Sequence, residues 1–380
     1  MSGGALLAVC TLPAFPVTNG YALRVYNLLR ELAREWQVTL VAPPGAVPGL
    51  AAHREVHLRG PGLTYPWRFD DAPLRAAVAQ TLREQRFDRA LVWPGAEALW
   101  FQPHGLPPAV MDMIDCNPLE FWRGAAAGRS LRERARNLLE LWPASVYARR
   151  TVRSFAATTC VGEQDAAWMR RIGGRGTVHV APNGVALPET EWPEDGRPTV
   201  SFTGTLDYPP NVDAIEYLVT EIWPLVRAAV PGATLLVAGR NPAPGVAALN
   251  GLDGIEVLPD VPDMAAVIGW SWVSVAPMRR GVGIKNKVLE AWACGRPVVM
   301  TRLATNGLTL PPGHDGLVQD GARPIADGVI RLLQDPARRR LGAAARTHVA
   351  EQFSWRSAAQ RMSALLGGAA LTSADPLPLR

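Results

Sequence analysis

The stretch Ala276-Pro-Met-Arg-Arg-Gly-Val-Gly-Ile-Lys-Asn-Lys-Val-Leu-Glu-Ala-Trp-Ala-Cys-Gly-Arg-Pro-Val-Val-Met300 reads as the end of a strand, a glycine loop, a helix and a second strand. Apolar residues recur every third or fourth place after Lys287, while the runs at each end are short and β-branched. Strand, helix and strand in succession form a parallel crossover unit. The same rhythm extends to both sides. In the second half the apolar runs 200–203, 233–238, 255–258, 273–276 and 297–301 predict strands, with helices over 212–229, 264–269 and 285–293. In the first half, 6–11, 38–42, 90–93, 109–113, 156–161 and 178–181 predict strands, and 21–34, 72–84 and 131–153 predict helices. Two α/β halves follow, each with a parallel sheet covered on both faces.

Between them, residues 182–198 carry four prolines and two glycines, a composition that breaks regular structure. The division expected is a first domain over 1–183, a linker over 184–198, a second domain over 199–352 and a closing segment over 353–380. The tail reads as three amphipathic helices over 325–333, 337–352 and 355–366, which suit packing.

A chain of 380 residues that is 48% hydrophobic and 19% charged has the material for two cores and is not of the disordered type. The apolar stretch 4–10 is short and lacks a preceding basic segment, so it reads as a first strand and not a signal peptide or membrane span. Cys10, Cys116, Cys160 and Cys294 stand apart in apolar surroundings, as reduced buried thiols do. A cytoplasmic location is expected. The formal net charge of +5 is compatible with nucleic acid, an anionic membrane or a merely basic protein, and no nucleic-acid motif accompanies it.

Gly281 and Gly283 let backbone approach a ligand, and a helix beginning about Ile284 points free N–H groups and a positive dipole end at it. That is the layout of a diphosphate site. Of 39 basic residues only Lys285 and Lys287 are lysine, and both fall here. Lysine is a compact point charge that fits where a planar guanidinium crowds a phosphate. Cations at a helix N-terminus are unfavourable toward the dipole, which argues for an anion that compensates them; Arg279 and Arg280 offer further charge. Glu290, three residues beyond Lys287, lies near the same face and suits the two hydroxyls of a ribose.

The pattern Gly-x-Gly-x-(basic)-x-Lys-Val-Leu-Glu-Ala-x-Ala-x-Gly-x-Pro-Val-Val resembles the donor-site signature of family 4 glycosyltransferases. Further matches are Pro16-Val-Thr-Asn-Gly20 with Arg24, Asn183-Gly184-Val185, Phe202-Thr-Gly-Thr-Leu-Asp-Tyr-Pro-Pro-Asn211 and Phe353-Ser-Trp355. Together they are most similar to the exopolysaccharide/exosortase-associated sugar transferases. The resemblance implies the α/β GT-B fold, two Rossmann-like domains facing across a cleft with the C-terminal helix returning to the first. It implies a retaining transfer of a sugar, of hexosyltransferase type, from a nucleotide-diphosphate sugar such as a UDP-sugar to a carbohydrate, lipid-linked or small-molecule hydroxyl. Lys285 and Lys287 would hold the diphosphate, with Gly204, Arg280, Gly281, Gly283, Ile284 and Glu290 around the donor. The family's motif carries two glutamates, and here Val282 stands at the first. Where the family often has Arg and Lys after Gly204, this chain has Asp207, Tyr208 and Asn211.

Gly20 opens the first helix and is either a backbone site for the diphosphate or a plain helix start. Arg24 either reaches toward a ligand or lies on the surface. Asp115, after the strand that contains Asp112, is the family-type candidate for orienting a hydroxyl, with a helix cap as the alternative. Neither Asp70-Asp71 nor Asp112/Asp115 forms Asp-x-Asp, and the six histidines are dispersed, so neither a metal nor another cofactor is expected; His314 reads as structural. The stretch 121–153 mixes Trp122, Trp142 and Tyr147 with many arginines. It suits either peripheral contact with anionic lipid on the inner face of a membrane or a solvated basic face. Two rivals to a transferase stay open: a nucleotide-sugar-binding protein without turnover, and a nucleotide-sugar epimerase on the same fold.

Overall fold

Leu6, Leu7, Ala8 and Val9 are all fully buried, so successive side chains on both faces of β1 (Ala5–Cys10) are covered. A half-exposed strand would alternate; a continuous apolar run belongs to a parallel sheet with helices on each side. In the computed structural model, which describes residues 4–45, 47–48, 50, 52–57, 72–94, 105–128, 130–174, 176–190, 192–193 and 196–368, β1 sits within a seven-stranded parallel sheet. After β1 come α1 (Gly20–Leu32), β2 (Gln37–Ala42), β3 (Ala52–Glu55), α2 (Ala72–Glu84), β4 (Arg89–Trp93), β5 (Ala109–Ile114), α3 (Asn117–Ala127), α4 (Leu131–Ser154), β6 (Ala157–Cys160), α5 (Glu163–Gly173) and β7 (Val178–Val180). The strand order is β3-β2-β1-β4-β5-β6-β7.

The second sheet has five parallel strands in the order β10-β9-β8-β11-β12. Its elements are β8 (Thr199–Thr203), α6 (Pro209–Tyr217), a π-helical turn (Leu218–Ile222), α7 (Trp223–Ala229), β9 (Thr234–Gly239), α8 (Pro244–Ala247), β10 (Ile255–Pro259), α9 (Met264–Trp270), β11 (Val273–Ala276), α10 (Asn286–Ala293) and β12 (Val298–Met300). Then follow α11 (Ala322–Gln334), α12 (Arg338–Gln352) and α13 (Trp355–Leu366). The one helix expected over 212–229 is interrupted because Pro224 has no N–H to continue the i→i−4 ladder, and the backbone widens into the π turn before it.

The chain divides into two compact units, residues 1–184 with 355–380, and residues 185–354. α13 completes the first: Trp355, Met362, Leu365 and Leu366 share a core with Val25, Leu28, Leu29 and Leu32 of α1, and Trp36 Nε1 donates to Ser363 Oγ at 2.9 Å. The second has its own core, centred on Phe202, Trp223, Leu235, Val237, Leu289 and Trp292, with Ile325, Val329 and Leu332 of α11 laid over it. The proline-rich stretch after Gly184 is fastened to this second unit. Val185 N donates to Phe353 O at 2.7 Å, Arg346 reaches Pro188 O, and the Trp192 ring lies against Gly269, where a side chain would collide with it.

All four cysteines are free and buried. Among the described residues no helix is long and apolar enough to cross a membrane. Asp70 and Asp71 lie outside the described residues.

Candidate active site

In the second sheet β8 and β11 are neighbours, and the chain leaves them in opposite lateral directions, β8 toward β9 and β11 toward β12. Such a reversal opens a crevice at the carboxyl ends of the two strands, where open α/β sheets bind ligands. Both loops singled out by sequence start there: Gly204 follows β8, and the run from Pro277 to Lys285 follows β11.

Gly204 has φ +150, and a Cβ on it would stand 2.8 Å from Asn211 Nδ2 and 3.2 Å from Lys287 Nζ. Only glycine leaves room for those groups. Asn211, in the first turn of α6, donates through Nδ2 to Thr205 O at 2.8 Å, which aims its Oδ1 outward to accept from Lys287 Nζ at 2.9 Å. The ammonium also stands 3.7 Å from the centre of the Phe202 ring, a cation–π contact. Gly281 and Gly283 take φ +99 and +69. The loop they form curls over Lys285, whose Nζ donates to Val282 O at 2.7 Å and Gly283 O at 3.0 Å. Asn306 Nδ2 holds the same Gly283 carbonyl from the other side.

The helix starts later than the sequence suggests. Lys285 is the N-cap and Asn286 the first helical residue, so Ile284 lies in the loop. The positive φ at Gly283 delays the helical turn, and Lys285 has extended backbone. Lys287 is therefore in the first turn, and Glu290 one turn further on. Burial lowers the Lys287 pKa to about 7; Glu290 opposes this and Lys285 adds to it. Burial also raises the Glu290 carboxyl, with Lys287 pulling it back. Burial thus works against the charged form of both groups.

Arg279 is committed elsewhere. It forks onto Asp213 with two bonds of 3.1 Å, stacks 4.4 Å from the Tyr217 ring centre and lies 3.9 Å from Glu221, so its charge is neutralised away from the glycine loop. Arg280 lies 3.7 Å from Asp213. Within this unit the structure brings Gly204, Gly281, Gly283, Lys285 and Lys287 together. The sequence places Asn211 in the loop after Gly204 without showing its bond to Lys287, and it gives no sign of the parts played by Phe202 and Asp213.

In the first unit, β1 and β4 are the neighbours at which the connections reverse. Gly20 follows β1 as the exposed first residue of α1, behind Asn19, whose side chain accepts from Ala22 N at 2.9 Å. Arg24 is neither on the surface nor turned toward a ligand. It is fully buried, bonded to Asp112 Oδ2 at 2.7 Å and Oδ1 at 3.1 Å and to Asn183 Oδ1 at 2.8 Å. Trp93 Nε1 and Thr159 Oγ1 complete the shell of Asp112. Asp115 follows β5, half-buried. The N-cap position of α3 is held by Cys116, with no side-chain cap bond, and Asp115 stands one residue before it. Just before Asp115, Ile114 has φ +62, and the β5–β6 register slips between Asp112 and Ile114. A positive φ in a β-branched residue is a true outlier, and it turns Asp115 out of the strand direction. His314 is buried with Nδ1 toward Pro312 O and edge-on to Trp292, a packing position.

Residues 197–335 match the family model described as glycosyl transferases group 1. Among solved structures, the chain is similar to WaaG, a glycosyltransferase involved in lipopolysaccharide biosynthesis, with TM-score 0.62, 15% identity and coverage of 96% of this chain and 100% of that one. It is also similar to Anabaena HepE in complex with UDP and glucose, with TM-score 0.66, 13% identity and coverage of 96% and 99%. The fold is GT-B. Among curated proteins, a GDP-mannose-dependent monoacylated alpha-(1-6)-phosphatidylinositol monomannoside mannosyltransferase of Corynebacterium glutamicum is 30% identical over 220 residues, 51% of this chain and 57% of that protein. A D-inositol 3-phosphate glycosyltransferase of Corynebacterium diphtheriae is 38% identical over 86 residues, 22% of this chain and 20% of that protein. The chain thus spans only part of the length of the curated relatives it matches. The group 1 match covers β8 through α11, the elements that build the glycine loop and the lysine pair.

Proposed function

We propose that this GT-B chain is a glycosyltransferase that moves a sugar from a nucleoside-diphosphate donor to a hydroxyl acceptor, without a metal or other cofactor and with retention at the anomeric carbon. The reading rests above all on the two glycines and two lysines gathered where β8 and β11 diverge, in the part of the chain similar to group 1 glycosyl transferases. The bond from the anomeric carbon to the phosphate oxygen breaks, the acceptor oxygen bonds to that carbon on the same face, and the acceptor proton passes to the departing phosphate. Lys287 and Lys285, with the loop amides, stabilise the charge that builds on the leaving group. Gly204, Gly281, Gly283 and Ile284 give the donor its backbone surface, Arg280 adds charge beside it, and Glu290 accepts from the ribose hydroxyls. In the first unit, Asp115 is assigned to the acceptor hydroxyl and the Gly20 backbone to the diphosphate. The finer placement, among exopolysaccharide/exosortase-associated transferases, rests on the Gly204–Asn211 loop and Phe353-Ser-Trp355. A glycan, lipid-linked or small-molecule acceptor on the cytoplasmic side is consistent with it.

The test is release of nucleoside diphosphate from a panel of UDP- and GDP-sugars, with and without acceptors and with chelator present. The expected result is slow release that an acceptor accelerates and chelator leaves unchanged, and that falls roughly a hundredfold or more in Lys287→Ala. Tight donor binding with no release under any acceptor would overturn the reading in favour of a binding protein. An inverted product anomer would overturn retention alone.

A further inference from the structure

α4 has one face in the core and one in water. Asn137, Pro143, Ala144, Tyr147, Ala148, Thr151 and Val152 are its buried side. On the opposite side, Leu131, Leu138, Leu139 and Trp142 are 84%, 60%, 77% and 72% exposed. At about 100° per residue, Leu131, Leu138 and Trp142 project in nearly the same direction, Leu139 lies beside them, and Arg149 continues the line two turns on. Single exposed leucines are ordinary, but three leucines and a tryptophan in one stripe mark a surface that is covered by something.

The charge around the stripe decides what covers it. Residues 131–154 contain six arginines and two glutamates. Arg132, Arg136, Arg149 and Arg150 are exposed, whereas Glu140 is half-buried, its carboxyl raised by burial with Arg136 opposing. A second copy of the chain docked on this face about a two-fold axis would bring arginines toward arginines, with the glutamates already turned partly inward. An anionic lipid surface meets both demands: headgroups take the arginines while Leu and Trp side chains enter the interfacial layer, where tryptophan is favoured. The helix is not apolar enough to cross a bilayer, so it lies flat.

We propose that the outer face of α4 docks the protein on an anionic membrane surface through Leu131, Leu138, Leu139 and Trp142, with Arg132, Arg136 and Arg149 on the headgroups. This contact is independent of the donor site and of turnover. The experiment is co-sedimentation of the full chain with phosphatidylcholine vesicles made with and without phosphatidylglycerol, over a salt series. The protein is expected to pellet with the phosphatidylglycerol vesicles and to be released by salt. The pair Leu138→Gln/Trp142→Gln should lower partitioning about tenfold or more, and each of Arg132→Gln, Arg136→Gln and Arg149→Gln about fivefold. These side chains are exposed, so the melting temperature should not move, which separates a docking defect from misfolding. Equal partitioning onto both vesicle types, or no effect of the Leu138/Trp142 pair, overturns the proposal. Self-association in sedimentation velocity that the same pair abolishes, without vesicle binding, overturns it in favour of a second copy.

Discussion

Lys287 carries its ammonium against an aromatic ring, a sulfur and one amide oxygen, a set too weakly polar to hold a full charge easily. Its pKa of about 7 lies below the ordinary 10.5. Between those values the unfolded chain holds a proton that the folded chain lacks, so this group makes stability rise with pH across that window, and most of its charge is absent above pH 7. A diphosphate bound at the proposed site would return the charge. Binding of UDP or GDP should therefore take up a proton at pH 8 to 9, beyond the phosphate's own titration, and affinity should fall by up to about tenfold per pH unit. Calorimetry in buffers of different ionisation enthalpy reads this directly; binding with no proton uptake in that range would remove Lys287 from the phosphate site, and Lys287→Met should flatten the slope. The buried pair Arg24–Asp112 makes a different prediction. Arg24→Met strands a buried carboxylate and should cost about 3–5 kcal/mol in urea unfolding, with much of it recovered in Arg24→Met/Asp112→Leu. A cost under about 1 kcal/mol would mean the carboxylate finds another partner or water.

The proposed donor pocket is held together by element ends. The end of β8, the first turn of α6 and the first turn of α10 meet at Gly204, Asn211 and Lys287. Gly204→Ala places a methyl group among them, so it should weaken nucleoside diphosphate binding about tenfold or more while costing only about 1–2 kcal/mol of stability. Thermal shift with and without ligand separates the two effects, and unchanged affinity would show that Asn211 and Lys287 adjust freely. The strands at these ends were legible because parallel strands buried on both faces leave continuous apolar runs, and α10 because its apolar spacing is strict. Less legible was anything set by distant partners. Arg279 looked like a phosphate ligand until Asp213, 66 residues earlier, claimed it. Arg24 reads in sequence as either a ligand-facing or a surface group because its acceptor Asp112 lies 88 residues away. The kink at Ile114 had no signal, since a β-branched residue is the wrong type for a positive φ.

Each of the two units has its own core, and, Gly20 and Asp115 apart, every residue proposed for the donor site belongs to the second. A nucleoside diphosphate should thus raise one of two calorimetric transitions and leave the other in place. Ending the chain after Ser354 strips Trp355, Met362, Leu365 and Leu366 from the core of the first unit. That truncation should lower or abolish the ligand-insensitive transition while the ligand-sensitive one persists; loss of both together would show that the units do not melt separately. The same return of α13 fixes an order of events on the ribosome. A domain can close only when its residues have emerged, and the usual sequence is N-terminal first. Here translation up to Ser354 has delivered every residue of the second unit, while α1 still waits for its covering helix. The half of the protein made first is the half that must be finished last, and until then its apolar face is business for a chaperone.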